Sequence, residues 1–144
     1  MKKLLMLGVF CSVVSVGFTQ CEKLSVSKTS SGRFIQNNVK QADIPFEATI
    51  TINKEKIKLS GNIAGQSINI DNEIKSVVLC EWKEYLKNGQ SVYKVTTDKG
   101  NGFFENSIIR IIAKDGKTTI SFAAEADDKN GLELDIYESW IEKQ

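Results

Sequence analysis

The sequence predicts an all-β fold, an antiparallel meander of about eight strands that closes as a small barrel or folds as a two-layer sandwich. Three observations predict it. From Phe46 onward, apolar and polar residues alternate with period two over successive short runs. Turn dipeptides such as Asn88-Gly89 and Asp115-Gly116 separate those runs, and the 144 residues contain one Pro. Folded about these turns, neighbouring runs direct their apolar side chains to a common face.

The first stretch of the exported chain, 20–44, is polar and rich in Ser and Asn. It reads as a partly ordered lead-in with Gly32-Arg33-Phe34-Ile35 as its strand candidate, so a single β-domain is expected over 45–144. At the start of that domain Phe46, Ala48, Ile50 and Ile52 alternate with Glu47, Thr49, Thr51 and Asn53. A turn at Lys54-Glu55 sets Ile52 beside Ile57 and Ile50 beside Leu59.

Segment 73–88 satisfies two periods at once. As a strand it shows Ile74, Val78, Cys80, Trp82 and Leu86 on one side and ends at the Asn88-Gly89 turn, facing Lys83 with Lys94. As a helix it gathers Ile74, Val77, Val78, Trp82, Tyr85 and Leu86 into one stripe, which makes α+β the alternative fold class. The β-branched pair Val77-Val78 and the Asn-Gly turn favour the strand.

The clearest hairpin covers 107–125. Its Asp115-Gly116 turn, a pair that tolerates positive φ, places Ile111 opposite Ile120 and Ile109 opposite Phe122, with Arg110 meeting Ser121 and Ile112 meeting Thr119 on the other face. Ile120, Phe122, Ala124 and Ala126 then lead to a loop of Asp127-Asp128-Lys129-Asn130-Gly131, and Leu132, Leu134, Ile136 and Trp140 alternate back. Pairing Ala126 with Leu132 sets Phe122 against Ile136. Ile109, Ile111, Phe122 and Ile136 are the expected dry layer.

In outline this meander resembles the small secreted barrels of the lipocalin group. Their Gly-X-Trp motif on the first strand has its nearest counterpart in Gly32-Arg33-Phe34, with Phe in the Trp position. The resemblance is architectural and implies a small closed barrel; one of eight strands is only wide enough to be filled by side chains or to hold one small ligand.

The N-terminus carries Lys2 and Lys3, an uncharged apolar run and small residues near Thr19, the three-part pattern of a secretory signal over 1–19. Cleavage there predicts an exported protein, periplasmic or extracellular, with no transmembrane segment in the mature chain. Cys21 directly follows, which raises the alternative of a lipoprotein anchored at that residue, although Gln20 stands where such signals carry a small side chain. Cys11 leaves with the signal, so Cys21 and Cys80 are the disulfide candidates in a compartment that permits one.

Among 19 Lys and Arg, 18 Asp and Glu and no His, the missing imidazole removes Ser-His-Asp and Cys-His hydrolases and His-ligated metal enzymes. The formal charge of +1 with no basic block argues against a nucleic-acid partner. Asp127-Asp128-Lys129-Asn130-Gly131 has the glycine of a calcium loop, but aligning it puts Ala126 and Tyr137 at ligand positions, so it reads as a hairpin loop. Glu81, Glu84, Asp135 and Glu138 could supply a carboxylate pair for hydrolysis, yet nothing in their spacing makes any two converge. Lys99-Gly100-Asn101-Gly102 lacks the Lys-Ser/Thr pair of a phosphate loop. No cofactor or metal is implied and no catalytic residue is assigned.

What remains is aromatic. Trp82, Tyr93, Phe122 and Trp140, with Glu84 as the polar group among them, are the candidates to line a pocket inside a closed sheet. The function expected is that of an uncharacterised secreted β-domain, non-catalytic, binding a small apolar ligand within the sheet. The alternative is an envelope or extracellular protein-interaction domain with no cavity.

Overall fold

The structure, a computed structural model, describes residues 20–143. The leader expected at 1–19 lies outside them. Nine strands follow in order: β1 (Ser25–Gln36), β2 (Val39–Lys40), β3 (Ile44–Ile52), β4 (Lys56–Ile63), β5 (Gln66–Glu84), β6 (Asn88–Gly100), β7 (Phe103–Lys114), β8 (Lys117–Ala124) and β9 (Asp127–Ile141). From β3 to β9 each strand pairs antiparallel with the next, and β1 pairs with both β3 and β9. The sheet therefore closes into an eight-stranded barrel, with the short β2 appended to β1. Among the described residues no helix is long and apolar enough to cross a membrane.

Closure follows from one-sided alternation. Phe46, Ile50, Ile52, Ile57, Tyr93, Val95, Ile109, Ile111, Ile120 and Leu134 all point inward and are less than 2% exposed. Each such side chain contributes roughly 1.5–3 kcal/mol by leaving water, and a barrel of this size is just wide enough for them to fill. Phe122 and Ile136 pack half-buried against this layer. The Asp115-Gly116 turn takes positive φ at both residues, and the pairs Ile111 with Ile120, Ile109 with Phe122, Arg110 with Ser121 and Ile112 with Thr119 all form. Likewise Ile52 pairs with Ile57 and Ile50 with Leu59. The alternatives of a two-layer sandwich and of a helix over 73–88 are not adopted.

Four expectations are corrected. The stretch 20–44 is no loose lead-in: β1 spans twelve residues and supplies the strand that closes the barrel, so the domain starts well before residue 45. Its alternation is disguised because the inward side chains are hydroxyls. Ser25, Ser27 and Thr29 are buried, and each finds a polar partner: Ser25 Oγ lies 3.4 Å from Tyr85 Oη, Ser27 Oγ lies 2.9 Å from Ser139 Oγ, and Thr29 Oγ1 donates to Asp135 O at 2.7 Å.

The β5–β6 connection lies earlier than expected, at residues 85–87, and β6 already begins at Asn88. Three register shifts in β5 absorb the difference, so Lys94 faces Ser76 instead of Lys83 and pairs with Glu125 at 2.8 Å. These bulges turn Val77 inward and leave Val78 exposed.

The β8–β9 hairpin turns at Glu125-Ala126, which removes the expected loop at 127–131. Phe122 pairs with Leu132, not Ile136, and Ile136 pairs with Thr118. The slip of four residues is even, so the inward face survives. Residues 128–130 bulge from the ladder and receive the β1–β2 turn, where Asn37 N donates to Asn130 Oδ1 at 3.0 Å and Asn38 N to Lys129 O at 2.9 Å.

Further along β9 a second bulge reverses the faces. Ile136 stands opposite Thr29 and Glu138 opposite Lys28, leaving Tyr137 unopposed. Ser139 thereby points inward and Trp140 outward, against the expected alternation.

Candidate functional site

The two ends of the barrel differ. One end is plugged by the β5–β6 turn and the segment ahead of β1. Cys21 and Cys80 form a disulfide with Cα atoms 6.2 Å apart, and Tyr93 Oη donates to Cys21 O at 3.2 Å. Tyr85 and Leu86 are buried beneath, Trp82 meets Tyr85 edge-on at 5.3 Å between ring centroids, and Thr118 Oγ1 donates to Leu86 O. Burial raises the pKa of the Tyr85 and Tyr93 hydroxyls above the ordinary tyrosine value. Two polar atoms here, Trp82 Nε1 and Ser91 Oγ, are buried with no hydrogen-bond partner among the described residues. Cys21 has its sulfur in the disulfide and its side chain 1% exposed.

The other end is open. Above the layer of Ile57, Val95, Ile109, Ile120 and Leu134 lies a cavity of about 380 Å³. Strand register sorts its lining into two walls. On β5, β6 and β7, Asn72 pairs with Thr97 and Thr97 with Glu105, with Ser107 one step deeper, which makes a polar row. On β8, β9 and β1, Phe122 pairs with Leu132 and Leu132 with Phe34, which makes an apolar row. Leu59 and Ile70, paired across β4 and β5, complete the apolar lining.

The polar row is held in place. Asn72 Nδ2 donates to Ile57 O at 3.0 Å, and Thr97 Oγ1 donates to Asn72 Oδ1 at 2.6 Å, both inside the barrel. At the rim Lys99 Nζ lies 2.7 Å from Glu105 Oε2. Phe103 sits at the tip of the β6–β7 hairpin on the face shared with Glu105 and Ser107, 72% exposed, with Phe104 beside it at 68%. A larger depression of about 740 Å³ lies outside the barrel, lined by Lys54, Lys56, Asp71, Glu73 and Asp98 together with Ile74 and Phe104.

The sequence-selected residues distribute unevenly between these places. Phe122 lines the open end. Trp82 and Tyr93 point inward at the plugged end and serve as its filling. Glu84 is exposed and pairs with Lys87 at 2.7 Å, so it is not a buried carboxylate among the aromatics. Trp140 lies on the outer face, with Lys28 Nζ 5.0 Å from its ring centroid and its Nε1 donating to Glu142. Leu59, Ile70, Asn72, Thr97 and Leu132 were not singled out by sequence. Alternation marks Leu59 and Leu132 as inward and carries Thr97 inward with Tyr93 and Val95, but Asn72 and Thr97 are polar and read as surface residues in the sequence.

A charged cluster sits on the outer face of the closing seam. Arg33 on β1 donates to Asp135 and to Glu133 Oε1 at 2.5 Å on β9, and to Asp43 Oδ1 at 2.7 Å before β3; Lys40 on β2 lies 2.9 Å from Glu133 Oε1. Hydrogen bonds donated to Asp135 and Asp43, then to Glu133, hold the guanidinium protonated well above its usual value. Every acid of the cluster is engaged by a cation, which fits a clasp between first and last strands rather than a reacting group.

No protein-family model matches the chain, and no curated protein does. A similar solved structure is that of a DUF4251 family protein from Bacteroides eggerthii DSM 20697, at 10% identity and a TM-score of 0.49, with 85% of this chain and 82% of that chain covered.

Proposed function

We propose that this protein is an exported, non-catalytic barrel that takes a small amphipathic molecule into its open end. The observation that carries the reading is the asymmetry of the interior: one end is filled by Tyr85, Leu86, Tyr93 and the disulfide, while the other keeps a cavity of about 380 Å³ between an apolar and a polar wall. That volume and mix of surfaces match small-molecule sites. Export is supported by the Cys21–Cys80 disulfide, a bond that persists in oxidising compartments.

The test is native mass spectrometry of protein purified without denaturation, followed by titration with octanol. A one-to-one adduct that disappears in Ser107→Phe, whose ring would fill the cavity, is the expected result. Absence of any adduct from a panel of short amphiphiles sinks the reading.

A further inference from the structure

Resting on that reading, we propose that the ligand is an uncharged amphiphile that gives hydrogen-bond donors to the Asn72–Thr97–Glu105 row while a flat or hydrocarbon face lies against Phe34, Leu132 and Phe122. The two rows run along different walls of one cavity, so a ligand must satisfy both. The row offers mostly acceptors. Thr97 spends its only hydrogen on Asn72 Oδ1 and is left with oxygen lone pairs, and Glu105 is a carboxylate. Asn72 uses one amide hydrogen on Ile57 O and keeps one.

Charge selects the ligand further. Among the described residues Lys99 is the one cation lining the cavity, and its charge is already balanced by Glu105, so an incoming carboxylate would meet the negative charge of Glu105 with no unbalanced cation to offset it. A charged head left without a partner among Leu59, Ile70 and Phe122 would lose its hydration uncompensated. At roughly 30 Å³ per non-hydrogen atom, the cavity accepts about a dozen such atoms, the size of a two-ring aromatic or a short-chain alcohol.

The experiment compares naphthol, its methyl ether and the naphthoate anion, all substituted at the same ring carbon, by calorimetry with the full chain. Naphthol should bind at least about tenfold more tightly than the ether, which has lost the donor, because a site built to pair a hydroxyl discriminates strongly against its absence. Naphthoate should bind more weakly than naphthol. Thr97→Val should narrow the gap between naphthol and ether, and so should Glu105→Leu, which removes a second acceptor of the row together with its exposed ion pair to Lys99. Equal affinities, or naphthoate binding tightest, would overturn the inference while leaving the open end as a ligand site. Binding of none of the three, nor of octanol, would retire both.

Discussion

Tyr93 and Cys21 are joined across the plugged end of the barrel, the phenolic hydroxyl donating to the main-chain carbonyl at 3.2 Å. A side chain in the middle of β6 thereby holds the segment that enters β1. The same tyrosine is fully buried, and burial together with neighbouring Tyr85 raises its pKa.

Alkaline sensitivity follows from that burial. Tyr93 and Tyr85 keep their protons to higher pH when folded than when unfolded, so the folded state binds more protons than the unfolded state above about pH 10. Their contribution is fully present below that value and is lost as pH rises through the folded pKa. Thermal melts should be flat in this respect from neutral pH to about 9 and fall steeply above 10. Tyr93→Phe should lower stability near neutrality by about 1 kcal/mol through the lost hydrogen bond and flatten the alkaline slope. An unchanged slope would show that these hydroxyls do not control it.

The disulfide spans 59 residues of sequence, so it constrains a long loop in the unfolded chain. Reduction, or the paired replacement Cys21→Ser with Cys80→Ser, should cost about 2–4 kcal/mol, read as a lower urea midpoint. The open end should keep its octanol binding, since neither cysteine lines it.

Arg33 clasps the seam, and its side chain is 15% exposed against 11% for Glu133. Arg33→Met should destabilise by about 2–3 kcal/mol because Glu133 keeps only Lys40 for a partner in a mostly dry site. Arg33→Lys should recover only part of the loss, since a single ammonium cannot reach all three carboxylates in forked geometry. Urea unfolding of the two variants decides it; full recovery of stability in Arg33→Lys would mean that the fork is irrelevant.

Gly61 on β4 is paired with Ala48 on β3. A Cβ there would stand 2.1 Å from Glu47 O and 2.5 Å from Ala48 Cα, both main-chain atoms that cannot swing aside. Gly61→Ala should therefore cost about 2 kcal/mol or more, visible as a drop in melting temperature, whereas Ser60→Ala next to it should be nearly silent.

The legible parts of the fold were those in which apolar side chains mark the inward face. Ile109, Ile111 and Ile120 are spaced about a turn whose chemistry fixes the register, so both face and pairing could be read. β1 escaped because Ser25, Ser27 and Thr29 look like a surface when written in one dimension and become interior only once Tyr85, Ser139 and the Asp135 carbonyl arrive from elsewhere. Trp140 and Val78 were misplaced for a different reason: a bulge changes parity, and no local residue type announces it. The cavity was legible only as a possibility of closed sheets. Phe122 was found because it belongs to the well-marked hairpin, and Asn72 and Thr97 were missed because polar residues on a strand ordinarily face water.

Pairing of Ser25 with Ile141, reinforced by Glu142 N donating to Leu24 O at 2.9 Å, brings the beginning and the close of the barrel side by side beneath the plug. An affinity handle, a surface linkage or a fused neighbour joined just outside either strand would thus hang from the sealed base. The mouth would face away from whatever holds the molecule, free to sample passing solutes, like a cup gripped by its foot.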